Sequence, residues 1–275
     1  MGFDMTIDLT RRGILATVTA SLVSTAALKV TPAAAVSSGD MLLDKVLQAH
    51  GGLDAWKTVK RLDMKLTAKG PLFRLKHQPA GLHDVTLRID PHSPRVEVSP
   101  FQKAGSRGIY TPQRVWIEDV TGKTVEERID FFHRLHSQAP TDPWDALDEL
   151  AFAGEATFEY LTLPYLLAEP DVKVEEIEPQ TEYGTPWRRL RAVFPARIPV
   201  HSAEQIFYFD DAFMMRRFDF QAVGPSSQYC FDPITINRLV FYALRRIVPR
   251  KTPNPLFTAS TAVLVEVADI SVSKG

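Results

Sequence analysis

Residues 193–223 read VFPARIPVHSAEQIFYFDDAFMMRRFDFQAV, and their periodicity decides the fold. From Glu204 to Phe209 the side chains alternate into two rows, Ile206 and Tyr208 on one, Phe207 and Phe209 on the other. Asp210-Asp211-Ala212 supplies a short acidic turn, and Phe213 to Ala222 returns aromatic and β-rich, so the segment reads as an antiparallel hairpin. Both rows carry aromatic side chains. A sheet packed on one face only is polar on the other, so this hairpin calls for apolar company on both sides, from a core, a lid or a ligand.

The same period of two extends outward in both directions. Upstream, Leu62, Met64, Leu66 and Ala68 share one face, and alternation recurs at Leu82–Asp90, Arg95–Val98, Arg114–Val120 and Thr124–Ile129, broken by Asp90-Pro91, Ser99-Pro100 and Thr121-Gly122. Downstream it covers Val172–Ile177, Trp187–Phe194, Gln228–Phe231, Ile234–Val248 with an internal break, and Ala262–Val272. Strands at this spacing, ten or eleven in all, imply an antiparallel meander.

Two regions change period. Ser38 and Asp40 offer caps for a helix through His50 with Leu42, Leu43, Val46 and Leu47 as its apolar stripe, stopped by Gly51-Gly52 before a short turn carrying Trp56. In the middle, Asp142-Pro143-Trp144-Asp145 reads as a helix start with Asp142 as cap. Gly154 interrupts that helix, and TFEYLTLPYLLA (157–168) follows, apolar almost all round, with Pro164 as a kink. Such a helix is buried on both sides or faces something greasy. The expected fold class is mainly β with α: a strongly curved antiparallel sheet whose concave face is covered by helices and keeps a cavity wherever side chains do not fill it.

Residues 1–35 read as a cleaved export signal: Arg11-Arg12, a moderately apolar run Gly13–Leu28, Lys29, then Pro32-Ala33-Ala34-Ala35 as a small-residue cleavage pattern. Sixteen apolar-run residues fall short of the roughly 20 that span a bilayer. The expected mature part, residues 36–275, is one domain, periplasmic or secreted by the twin-arginine route. A net charge of −1 over 275 residues gives no general attraction to nucleic acid. Cys230 is the only cysteine, so no disulfide forms within the chain.

Ala49-His50-Gly51-Gly52 with Trp56, YLTLPYLLAEPDVKV (160–174), TPWRRLRAVFP (185–195), HSAEQIFYFD (201–210) and RRFDF (216–220) resemble exported bacterial proteins of the LolA/LolB-like lipoprotein-localisation superfamily. The resemblance covers most of residues 40–250. It implies an unclosed β-barrel of about eleven strands, with helices over a hydrophobic cavity that holds acyl chains in characterised relatives. The chain departs from the group at 238–249, RLVFYALRRIVP, where the group carries a Gly and a Pro.

Catalytic signatures are sparse. His133 and His136 are three apart but lack a Cys or carboxylate at ligand spacing, so a loop pair is favoured over a metal site. His201-Ser202 with Glu204 lacks the Gly-x-Ser-x-Gly elbow of the familiar esterases, and Ser202 reads as turn chemistry. Glu175, Glu176, Glu178 and Glu182 beside Arg188, Arg189 and Arg191 read as solvated cross-strand ladders. Arg245-Arg246 and Arg250-Lys251 read as an exposed basic strand, with anionic head-group binding as the alternative. Trp116, Trp144, Phe152, Tyr160, Tyr165, Phe207 and Phe209 fall on elements that a curved sheet brings towards its cavity, and as a set they favour an apolar ligand site.

Three readings follow. The first is a binding or carrier protein for a lipid or other apolar molecule, needing no cofactor, with transient membrane or lipoprotein contact left open and Gly154 and Pro164 as lid hinges. The second is an enzyme using the same cavity, with His201 or a cavity carboxylate as general acid or base. The third is a partner-binding module whose cavity is filled by its own side chains.

Overall fold

The computed structural model describes residues 37–275, so the signal expected at 1–35 lies outside the described residues. In chain order the elements are α1 (Ser38–Ala49), α2 (Leu53–Lys57), β1 (Val59–Lys69), α3 (Pro71–Leu75), β2 (Leu82–Asp90), β3 (Arg95–Ser99), β4 (Arg107–Thr111), β5 (Arg114–Glu118), β6 (Thr124–Ile129), α4 (Phe131–Ser137) and α5 (Ala146–Thr162). After a 3₁₀ turn at Tyr165–Ala168 come β7 (Lys173–Glu182), β8 (Thr185–Val193), β9 (Glu204–Phe209), β10 (Met215–Gln221), β11 (Pro225–Ile236), β12 (Leu239–Pro249) and β13 (Val263–Lys274).

All thirteen strands form one sheet, in the order β6-β5-β4-β3-β2-β1-β13-β12-β11-β10-β9-β8-β7. Every neighbouring pair is antiparallel, and β6 and β7 are free edges, so the curved sheet stays open. The chain walks from β1 to one edge, crosses by α4, α5 and the 3₁₀ turn to the other edge, and walks back until β13 pairs with β1.

The described residues form thirteen strands where about eleven were expected, and the one with no counterpart among the expected segments is β4. β4 is short and begins Arg107-Gly108, a weak strand signal; a Cβ at Gly108 would lie 2.6 Å from Leu150 Cδ1 on α5, so close helix packing keeps glycine there. The break expected within Ile234–Val248 is a hairpin turn, Asn237 and Arg238 both having positive φ (51° and 77°), and it separates β11 from β12.

The helix caps also sit elsewhere than expected. Ser37, not Ser38, caps α1 in a reciprocal box with Asp40, and Asp145, not Asp142, caps α5 in the same way with Asp148. Gly154 does not interrupt α5, which runs unbroken through it. A Cβ at Gly154 would fall 2.2 Å from Tyr110 Cγ, so this glycine is a packing contact with β4 and no hinge. All of α5 except Ala146 and Phe152 is buried, which is what an all-round apolar helix inside a curved sheet requires.

The opening hairpin forms as β9 and β10, with Phe207 opposite Phe218 and Phe209 opposite Met215. Phe207 and Phe209 enter the core, where Phe207 stacks on Phe218 at 5.5 Å. The other face is covered too. There the registers of β8 to β12 set Arg189, Tyr208, Arg217, Tyr229 and Arg246 side by side, an alternating arginine and tyrosine row. Arg217 lies 4.4 Å over the Tyr208 ring and 5.5 Å over Tyr229, and Arg189 lies 5.7 Å over Tyr208 from the other side. The connector at 250–262 is strapped across this row: Arg217 Nη1 donates to Pro253 O (2.8 Å), Arg246 Nη2 to Ala259 O (2.8 Å), and Tyr183 Oη to Asn254 O (3.0 Å).

The exposed basic strand expected at Arg245-Arg246 is therefore overturned. Arg246 clasps the connector on the outer face, and Arg245 is buried on the inner one, 1% exposed. The acidic ladders do form, Arg191 with Glu175 and Arg188 with Glu176, but Glu182 leaves them to become buried beneath the connector.

Candidate functional site

The strands at the centre of the sheet end on their inner face in small or apolar side chains: Leu66 and Ala68 on β1, Val263 and Val265 on β13, Ile247 on β12. Across from them α5 presents Ala153, Ala156 and Tyr160, and α3 presents Leu72 and Leu75. Alanines on the facing helix leave space that larger residues would fill. The result is a cavity of about 690 Å³, within the usual range of ligand sites. Its wall offers almost no polar group. The Thr157 hydroxyl is occupied by Ala153 O at 2.7 Å, and the Tyr160 hydroxyl by His201 Nε2 at 3.1 Å. Arg74, exposed on α3, stands at the rim, and no carboxylate lines the cavity.

Behind this wall, α5 carries a buried charged cluster. His201 Nδ1 lies 2.8 Å from Glu155 Oε1, Glu159 Oε2 accepts from the His201 backbone N–H (3.0 Å), and Gln205 Nε2 donates to Glu159 Oε1 (2.5 Å). His136 on α4 approaches Glu155 from the surface at 3.5 Å. Burial opposes charging of both Glu155 and His201, yet their hydrogen bonds prevail: those from His136 and His201 bring Glu155 down to about 2, and the one to Glu155 raises His201, as in an imidazolium–carboxylate pair. Burial raises Glu159.

A second hollow, about 350 Å³, opens at the start of α5 between the 78–85 and 100–104 segments. Glu149 reaches into it, 2% exposed, with Oε2 accepting from Gln102 Nε2 (2.7 Å) and Oε1 without a partner. Burial pushes Glu149 up to about 7.

The seven aromatic residues singled out above divide into three groups. Phe152 and Tyr160 line the large cavity, and Trp144 packs on Phe152 at 4.7 Å beside a small adjoining space. Tyr165, Phe207 and Phe209 belong to the packed core, Tyr165 stacked on Trp56 at 4.2 Å. Trp116 points away from the helices, because Val115 and Ile117 take the inward positions of β5; it lies between the guanidinium groups of Arg114 (4.5 Å) and Arg95 (5.4 Å). His133 and His136 lie on α4, and no metal-type cluster of His, Cys, Asp or Glu occurs among the described residues. Ser202 makes turn contacts, donating to Glu204 O and accepting from Gln221 N–H.

No family model matches the chain, and no curated protein matches it. Solved structures do. A LolA superfamily protein from Nitrosomonas europaea is similar over 86% of this chain and 94% of its own, at 9% identity and a TM-score of 0.48. A DUF1329 family protein from Desulfovibrio piger is similar over 87% and 95%, at 7% identity and a TM-score of 0.48. A domain named for outer-membrane lipoprotein sorting, from Vibrio parahaemolyticus, is similar over 85% and 94%, at 8% identity and a TM-score of 0.47. At such identities the likeness is one of fold.

Proposed function

We propose that the chain binds and carries an apolar molecule, a lipid or a compound of similar character, in the cavity between α5 and the sheet. One observation carries this reading: about 690 Å³ of space bounded by apolar side chains, between the centre of the sheet and α5. Apolar space of this size excludes ordered water for want of hydrogen-bond partners and rewards an apolar occupant. Each buried methylene contributes about 0.8 kcal/mol, so a short run of them already offsets several kcal/mol of association and ordering cost. The segment 1–35 fits export to the periplasm or beyond, where such a carrier would shuttle cargo that water does not dissolve.

The buried His201–Glu155 pair is where an enzymatic reading would begin. Both ring nitrogens of His201 are engaged, Nδ1 by Glu155 and Nε2 by Tyr160, and the Tyr160 ring stands between the imidazole and the cavity. Carriage is the better fit to that arrangement.

Native mass spectrometry of the protein from Val36 onwards, with extraction of whatever travels with it, tests the proposal. A stoichiometric apolar passenger is expected, together with uptake of a fluorescent fatty-acid probe that Ala156→Trp abolishes by filling the cavity. A clean apo mass and no probe uptake would overturn it.

A further inference from the structure

Among the described residues, Arg245 is a fully buried cation on the inner face of β12. Its guanidinium is 1% exposed and makes no ion pair among the described residues. It donates Nη1 to Tyr242 O and Nη2 to Tyr160 O (2.9 Å), and Nε has no partner. An arginine does not shed its proton at such a site, so the charge remains. A buried charge without a counter-charge is among the costliest features a fold can hold.

None of its neighbours offers a negative charge. Cys230, opposite Arg245 in the β11–β12 register, has its thiol pushed up to about 11 by burial. Burial likewise keeps the Tyr160 and Tyr242 hydroxyls protonated. Glu155 and Glu159 are committed to His201 and Gln205.

What surrounds Arg245 is the cavity wall. Val265, its register partner on β13, lines the cavity, as do Ile247, two residues on along the same face of β12, and Tyr160, whose carbonyl it holds. At the opposite end, the rim cation Arg74 is also outside every ion pair among the described residues. The cavity therefore has a solvated cation at its rim and a buried one behind its wall at Tyr160, Ile247 and Val265, and no carboxylate lines it.

Resting on the carrier reading, the geometry points to an anionic amphiphile as the cargo, seated with its carboxylate on Arg245 at the deep end and its tail along the apolar wall. The head group supplies the missing counter-charge, and the Nε–H and the fork of the guanidinium make charge-assisted hydrogen bonds to it. Arg74 keeps its water shell and gains far less from an anion, which places the head inside. The Tyr160 ring, anchored by its bond to His201, is the partition that an entering head group turns aside.

The test uses the whole mature chain, stripped of lipid, and compares a saturated long-chain fatty acid with its primary alcohol and its methyl ester by displacement of a fluorescent probe near neutral pH. The acid is expected to bind about tenfold or more tighter than the alcohol and ester. Arg245→Met is expected to erase that preference by weakening the acid alone, while Arg74→Ala keeps it. Equal binding of all three by the unmodified protein overturns the proposal and leaves the carrier reading standing; binding of none overturns both. A preference that survives Arg245→Met but disappears in Arg74→Ala puts the head at the rim and overturns the assignment to Arg245. If Arg245→Met does not fold, Arg245→Lys decides: the charge without the fork is expected to weaken the acid several-fold and leave the alcohol unchanged, and an unchanged acid overturns the proposal.

Discussion

Two arginines are buried to the same depth on opposite faces of this sheet, and they are treated in opposite ways. On the outer face Arg217 is gripped by Asp219 through two donors (2.7 and 2.8 Å) and by Glu182 (3.1 Å). Tyr208, Ser227 and Tyr229 then fill the remaining acceptor positions of those carboxylates. On the inner face Arg245 has two carbonyls and an idle Nε–H. A fully satisfied network holds a structure together; an unsatisfied one beside an empty space awaits a partner.

The sharpest way to break this comparison is to remove each cation in turn. Arg217→Ala strands Glu182 as a buried charge, leaves Asp219 only Arg250 at 3.6 Å, and is expected to cost about 3–5 kcal/mol in denaturant unfolding. Arg245→Met removes a charge that nothing balances and is expected to stabilise the protein by about 1–4 kcal/mol. Equal losses from the two would erase the distinction.

Glu149 sharpens the same contrast with a carboxylate. Its value of about 7 in the folded protein exceeds the ordinary 4.5, so the folded state binds more protons than the unfolded state between those pH values. Stability should therefore fall as pH rises from about 4.5 to 7, by roughly 3 kcal/mol in the limit. Glu149→Gln is expected to flatten that part of the pH profile and to stabilise the protein by about 1–3 kcal/mol at pH values above 7. An unchanged slope would show that the carboxylate is hydrated through its hollow.

The two sides of α5 offer the third test. Towards β4 the helix is closely packed, towards the cavity it is not. Gly154→Ala, ordinarily worth up to about 1 kcal/mol in a helix, should here destabilise by about 1–3 kcal/mol because of the Tyr110 ring. Ala156→Leu, on the cavity side, should be tolerated within about 1 kcal/mol. The smallest effect is expected at the solvated ladder, where Arg191→Ala should cost less than about 0.5 kcal/mol and vary with salt.

The hairpin at 193–223 was legible because alternation with period two survives any context, and the demand for cover on both its faces followed from the same rows. Which face held what was not legible. Arg245-Arg246 reads as surface charge, yet neighbouring residues of a strand point to opposite faces, so one of the pair had to turn inward if the strand was central. Trp116 misled for the same reason: its size suggested the interior, while Val115 and Ile117 held the inward register. The cavity is written in alanines, which give no signal of what they fail to fill. Of the charged cluster, His201 stood out as a candidate base, but its partner Glu155 is 46 residues away and only the fold brings them together.

The order of the sheet has one more consequence. β13, the last of these thirteen strands to be synthesised, is the central one, flanked by β1 on one side and β12 on the other. Until it arrives, the growing chain holds two half-sheets with their best hydrogen-bonding edges bare, the situation most inviting to wrong partners. A ribosome that stops short of Val263 thus yields no slightly shortened sheet but two sticky halves, because one strand of twelve residues holds them together.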